Sequence, residues 1–328
     1  MLLLLAPSED AHAQAIVSAL RRRGVPHEEI FQLDTTLAME ELLLQVDISG
    51  QECRWRIQRR AEPSKIIDST KVKRVYLRRY GLEGESRKFA YPDSAMLDHA
   101  EVYGGLRKLI HSLPRALFPL DHPTAIESAN NKLLQLMVAR KVGFHVPETL
   151  FSNDPAALSA FARRHPVIAV KPLSHGAINQ QEEPGKQKLI WCKAVPGEAL
   201  AGMVEERTHV QLYVQGSITK VRDLRILVLP QRIFAVEIDT SSLPELNPDW
   251  RALTMTLPHR LIEVEPAFEK QMRAFLASMG LVTGSFDFAV TAEGDRIFFE
   301  CNPSGQWLWL ETMTGAPIAD AVAAALVA

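Results

Sequence analysis

Apolar and polar positions along the chain alternate between strand-like and helix-like spacing. Met1–Ala6 is continuously apolar, as expected of a strand buried on both faces, and a helix-spaced stretch from about Asp10 to Arg23 stops at Gly24. Val25-Pro26 leads to a short strand near Ile30–Leu33, so the chain opens β-α-β, the start of a small α/β unit. Glu52–Gln58 and Val72–Leu77 alternate as strands, and a helix from about Ser94 to Leu113 stops at Pro114. Leu120-Asp121-His122-Pro123 marks a boundary. Beyond it the pattern predicts one helix over 124–141, a strand over 148–151 and a helix opened by Asn153-Asp154-Pro155. It then predicts a buried strand over 167–170, a polar loop over 174–188 and a strand over 189–193. The last third reads as a strand at 210–214, a hairpin of 224–229 with 232–238, and a helix over 266–279. Two strands, 284–290 and 296–300, follow around the turn Glu293-Gly294-Asp295, and a final helix runs from Ala316. The expected class is α/β with α+β character, in three units spanning 1–120, 121–209 and 210–328.

Composition narrows this picture little. The 328 residues exceed a comfortable single core, and 47% hydrophobic with 23% charged is ordinary for a globular chain. No apolar run approaches the roughly 20 residues of a membrane helix. The opening MLLLLAPSED lacks a basic start and reads as a strand, not a signal peptide. A net charge of -2 argues against nucleic acid as a partner, and no membrane is expected. Cys53, Cys192 and Cys301 are far apart, which fits a reducing cytoplasm better than a disulfide framework or zinc site. The charge is uneven, however. Arg54, Arg56, Arg59, Arg60, Lys65, Lys71, Lys73, Arg74, Arg78 and Arg79 crowd one stretch, either as solvated strand faces or as a surface for an acidic partner.

The candidate chemistry lies mainly in the last two strands. Glu300 and Asn302 are two apart and share a strand face, and pairing with the preceding strand can set Asp287 opposite. Three oxygen donors without sulfur or imidazole suit Mg²⁺; alternatively they are a strand acid and a turn Asn before Pro303. Lys171 ends an apolar strand, and Lys132 stands near a helix start, where charge and helix dipole both attract an anion. Ser174 and Gly176, in Ser174-His175-Gly176-Ala177, allow backbone N–H groups close to phosphates, although no Walker loop occurs. Arg225 alternates with apolar Leu224 and Ile226 and should face away from the core, where its guanidinium could clamp a phosphate with Asp223 orienting it. A surface ion pair of little consequence is the plainer reading of Asp223 with Arg225.

Taken in order, Asn131-Lys132, Val170-Lys171-Pro172, Gln211-Leu212-Tyr213-Val214, Asp223-Leu224-Arg225, Asp287 and Glu300-Cys301-Asn302-Pro303 resemble the ATP-grasp superfamily. That resemblance implies nucleotide between the second and third units, with Lys132 and Lys171 on its phosphates. It implies backbone hydrogen bonds from Gln211, Leu212, Tyr213 and Val214 to adenine, and magnesium, as two ions, on Asp287, Glu300 and Asn302. Leu212 stands where many members carry Glu, which leaves only its backbone for that role.

Within the superfamily the chain resembles the ligases that mature microviridins and related ω-ester peptides, the graspetides. Val72–Arg79, the hairpin of Asp223-Leu224-Arg225 with Ile233–Ile238, and Glu300–Trp307 carry this likeness. It implies ATP-dependent phosphorylation of an Asp or Glu side chain in an acidic, ribosomally made precursor peptide of leader and core. Closure onto a Ser or Thr hydroxyl, or a Lys amine, would follow, with Arg225, Asp223 and Lys171 at the reacting centre. Arg78 and Arg79 become candidates for attracting substrate carboxylates, and a homodimer fits the family. Two other functions share some of these features: a ligase of small amino acids, similar to glutathione synthetase, and a nucleotide-binding regulator without activity.

Overall fold

Leu2–Leu5 forms β1, all four side chains buried, between parallel neighbours β2 (Ile30–Leu33) and β6 (Arg74–Leu77). In the computed structural model, residues 1–35, 42–60, 66–79, 93–172, 177–179, 187–189, 192–204, 211–243 and 256–328 are described. Helix α1 (Ala11–Arg22) connects β1 to β2, capped by the Asp10 carboxylate on the Ala13 N–H at 2.9 Å. An antiparallel sheet of β3 (Leu42–Ser49), β4 (Glu52–Arg59) and β5 (Ile66–Asp68) adjoins it. Strand β3 was not foreseen. Its leucine-rich start obscures any alternation, and Leu43, Leu44, Val46 and Ile48 remain exposed. Helix α2 (Asp93–Ser112) follows.

The single helix expected over 124–141 is two, α3 (Pro123–Ala129) and α4 (Lys132–Lys141). Asn131 breaks it: its side-chain oxygen accepts from both Leu133 N–H and Leu134 N–H at 3.1 Å, an N-cap that restarts the helix. Next come β7 (Thr149–Ser152), α5 (Pro155–Arg164) and β8 (Val167–Lys171). The stretch read as a polar loop contains two paired strands, β9 (Ala177–Asn179) and β10 (Gln187–Leu189). The strand expected over 189–193 is displaced to β11 (Lys193–Pro196), and an unforeseen helix α6 (Gly197–Val204) follows. Strand β12 (Leu212–Gly216) completes an antiparallel sheet ordered β11-β8-β12-β7.

The C-terminal sheet is ordered β15-β14-β13-β16-β17. It comprises β13 (Arg222–Val228), β14 (Ile233–Asp239), β15 (His259–Ile262), β16 (Gly284–Val290) and β17 (Arg296–Asn302). Helix α7 (Pro266–Ser278) covers one face. Phe286 and Phe288 of β16 and Phe298 of β17 are fully buried there with Phe275, and Phe144, from beyond α4, is buried against them. Phe144 stacks on Phe298 at 5.7 Å and meets Phe288 edge-on at 5.2 Å. Since side chains alternate along β16, burying Phe286 and Phe288 turns Asp287 to the opposite face. Two last helices, α8 (Leu308–Thr314) and α9 (Ile318–Val327), return to the N-terminal unit, where α9 packs on α1. Among the described residues no helix is long and apolar enough to cross a membrane.

One buried network ties the two ends of the chain together. His12 Nε2 accepts from Trp307 N–H and Leu308 N–H, both at 3.1 Å, at the start of α8. Arg78 donates to the Ser304 carbonyl at 3.1 Å and pairs with Asp10 at 3.6 Å, while Asp10 lies 3.7 Å from His12. Burial, helped by Arg78 and opposed by Asp10, pushes the His12 imidazole down from 6.5 to about 4. The folded chain therefore favours neutral His12, and its contribution is complete above pH 6.5 and lost as pH falls toward 4. That interval is worth on the order of 3 kcal/mol. Urea midpoints should fall between pH 7 and pH 5 in the wild type and change far less in His12→Asn; parallel titrations would contradict this.

Candidate active site

Three neighbouring strands set three charged side chains in one row. In the ladder Arg225 of β13 faces Asp287 of β16, and Asp287 faces Glu300 of β17. Arg225 and Asp287 form an ion pair, with side chains 10% and 19% exposed. The Asn302 amide donates to Glu300 Oε1 at 3.2 Å, and Lys132, the first residue of α4, reaches Glu300 Oε2 at 3.4 Å. From the facing sheet, Lys171 at the end of β8 sets its ammonium 4.6 Å from the centre of the Phe299 ring. The structure thus brings Lys132, Lys171, Arg225, Asp287, Glu300 and Asn302 around one face. Ser174 and Gly176, with His175, lie outside the described residues.

Several expectations need correction. Arg225 does face away from the phenylalanine core, yet it is nearly buried, as is all of β13 beyond Arg222. Asp223 does not orient it: Asp223 pairs with Lys220, and burial, partly offset by that lysine, pushes the Asp223 carboxyl up to about 6. Nor is the pair a surface one, since Asp223 is 4% exposed. Val214 and Tyr213 lie inside ladders on both sides, Val214 opposite Leu150 and Val170, Tyr213 opposite Phe151 and Lys171. Their backbone groups are committed to the sheet. Leu212 has a partner on β7 alone, and Gln211 precedes the strand and is exposed, so these two form the open end. The start of α4 offers Lys132 an anion-attracting dipole, but Asn131 already occupies the Leu133 and Leu134 N–H groups. Arg78 is 4% exposed and held by Ser304 and Asp10, so it does not present its charge to a partner, whereas Arg79 is exposed.

Residues that sequence reasoning missed complete the site. The β16/β17 ladder slips between Asp287 and Phe288: Asp287 faces Glu300 while Phe288 faces Phe298, leaving Phe299 unpaired in a bulge. Its ring lies beside Lys171 and also 5.9 Å from the Lys220 ammonium. Nothing local in Phe298-Phe299-Glu300 signals a bulge; Lys220, three residues before Asp223, could have been noticed. Tyr213 adds a phenol whose acidity is suppressed by burial and the nearby Glu300 charge, and it accepts a 3.0 Å hydrogen bond from the Gln215 amide.

The arrangement can neutralise a polyanion. Three cations reach over a face carrying two carboxylates and an amide oxygen, hard donors of the kind that hold Mg²⁺ beside phosphate oxygens.

No protein-family model matches the chain, and no curated protein does. Solved structures do match along its whole length. The macrocyclase MdnC of Microcystis aeruginosa MRC, solved with its precursor peptide MdnA, is 27% identical with a TM-score of 0.83, covering 100% of this chain and 99% of its own. MdnB of the same organism is 26% identical with a TM-score of 0.76, covering 99% and 98%. An ATP-grasp ligase of Chryseobacterium gregarium associated with ribosomally made peptides, bound to ADP and to a leader and core peptide, shares the fold at 21% identity. Its TM-score is 0.83, over 99% of this chain and 96% of that one. From end to end the chain shares the fold of these two macrocyclases and of this ATP-grasp ligase.

Proposed function

We propose that this enzyme uses Mg-ATP to phosphorylate Asp or Glu side chains of a ribosomally made precursor peptide and closes each acyl phosphate into a ring. The observation that carries this reading is the row Arg225-Asp287-Glu300 flanked by Lys132 and Lys171, in a chain similar to a macrocyclase solved with its precursor peptide. Three units, 1–120, 121–209 and 210–328, frame the site, with nucleotide between the last two. Gln211 and Leu212 offer backbone groups to adenine, and Lys132 and Lys171 bind its phosphates. Ser174 and Gly176 belong to the loop assigned to the same phosphates. Asp287, Glu300 and Asn302 would hold two Mg²⁺ ions, which when bound would draw charge from the phosphate oxygens.

The chain's own residues then act by position and charge. A substrate carboxylate oxygen attacks the γ-phosphorus, ADP leaves, and the Arg225 guanidinium stabilises charge spreading over the transferred group. A Ser or Thr hydroxyl of the same peptide attacks the acyl carbon, phosphate leaves carrying off the hydroxyl proton, and an ester closes; a Lys amine would give an amide in the same way. Lys171 and Lys220, held along the Phe299 ring, steady the departing anions. Asp223 acts by fixing Lys220. An acidic core peptide suits this collection of cations, and Arg79 on the N-terminal unit would meet it first. The reaction belongs to the cytoplasm, where ATP and precursor are made, and a homodimer is compatible with it.

Each ring removes one water. Incubation of an acidic, Ser/Thr-rich precursor with enzyme and Mg-ATP should lower its mass by about 18 Da per ring, with one ADP released per ring through the acyl phosphate. ADP release driven by free amino acids, with no change in the peptide, would instead favour a small-molecule ligase and overturn the proposal.

A further inference from the structure

The amide of Gln135 is buried, 4% exposed, in the second turn of α4. Its oxygen accepts from the Cys301 N–H at 2.8 Å, and its nitrogen donates to the Cys301 carbonyl at 2.7 Å and to the Ala129 carbonyl at 2.7 Å. One side chain thus holds both backbone groups of the residue between Glu300 and Asn302. A neighbouring strand would ordinarily do this, but β17 is the edge of its sheet. A second clamp lies three residues earlier, where Phe298 N–H donates to the His145 carbonyl at 2.8 Å. The bulge residues Phe299 and Glu300 lie between the two fixed points. Lys132, three residues before Gln135 on the same helix, meets Glu300 at 3.4 Å, so one helix face grips this stretch twice.

We propose that Gln135 is a positioning residue for the metal-binding stretch: through Cys301 it fixes the directions of Glu300 and Asn302 and so sets the affinity for divalent cation. This rests on the assignment of Asp287, Glu300 and Asn302 as metal donors. Partners one step behind metal ligands typically govern about 10- to 100-fold in metal affinity. Gln135→Met keeps length and burial but removes all three hydrogen bonds. Gln135→Glu keeps an acceptor for Cys301 N–H while aiming an oxygen at two carbonyls.

The test is ADP binding by calorimetry with and without Mn²⁺ as the probe ion, alongside thermal unfolding of each protein. Gln135→Met should weaken Mn²⁺-dependent binding about 10-fold or more and leave metal-free ADP affinity within about twofold, with Gln135→Glu in between. A purely structural role would lower the unfolding temperature and leave the Mn²⁺ dependence intact, which would overturn the proposal. If one variant fails to fold the other decides; failure of both counts against a role directed at the metal. A wild-type chain whose ADP binding ignores Mn²⁺ would instead refute the metal assignment itself, so the two failures are distinguishable.

Discussion

Glu300→Gln should lower peptide-dependent ADP formation by about 100- to 1,000-fold, the scale seen when one preorganised group opposite developing charge is lost. The change is nearly isosteric, and the new amide can still accept from Asn302 Nδ2, now 3.2 Å from Glu300 Oε1. What disappears is one of the two negative charges proposed to hold the metal. The required Mg²⁺ concentration should therefore rise together with the loss in rate. Stability should hardly change, because the partner Lys132 is 31% exposed and such pairs contribute at most about 1 kcal/mol. A variant with normal Mg²⁺ dependence and normal turnover would remove Glu300 from the metal site.

Arg225→Met should act on both catalysis and stability. Loss of the guanidinium removes the cation proposed to stabilise the transferred phosphoryl group, for a fall of about 100- to 1,000-fold in turnover. It also takes from Asp287 its ion pair with Arg225. Breaking a buried pair costs about 3–5 kcal/mol, and the lower end applies because Asp287 keeps 19% exposure. A divalent cation held by Asp287, as proposed, would supply positive charge in its place. Mg²⁺ with ADP should therefore raise the unfolding temperature of the variant by more than that of the wild type. Equal increments in the two proteins would separate Asp287 from the metal; full turnover in the variant would separate Arg225 from the chemistry.

What could be read in advance follows from which signals are local. Ser285-Phe286-Asp287-Phe288 alternates, so the outward acid among inward phenyl rings is a two-residue pattern. Glu300 and Asn302 share a face for the same reason. A plain hairpin around Gly294 would set Asp287 opposite Phe299; it is the bulge at Phe299 that brings Glu300 there, and no local pattern announced it. Arg78 was misread because its neighbours in sequence show only positive charge, while its partners Ser304 and Asp10 lie 226 and 68 residues away. Gln135 carried no signal, being one polar residue in a helix whose spacing says nothing about an edge strand 166 residues later. The break between α3 and α4 was legible in principle: Asn130-Asn131 interrupts the apolar spacing and suits an N-cap.

Phe299 is supernumerary to the ladder. If it were deleted, Phe298 would still face Phe288 and Glu300 would still face Asp287, now in unbroken alternation. The sheet itself therefore gives no reason to retain it. Shortening the chain by this one residue removes ring and kink together, whereas Phe299→Leu keeps the kink and withdraws only the aromatic surface beside Lys171 and Lys220.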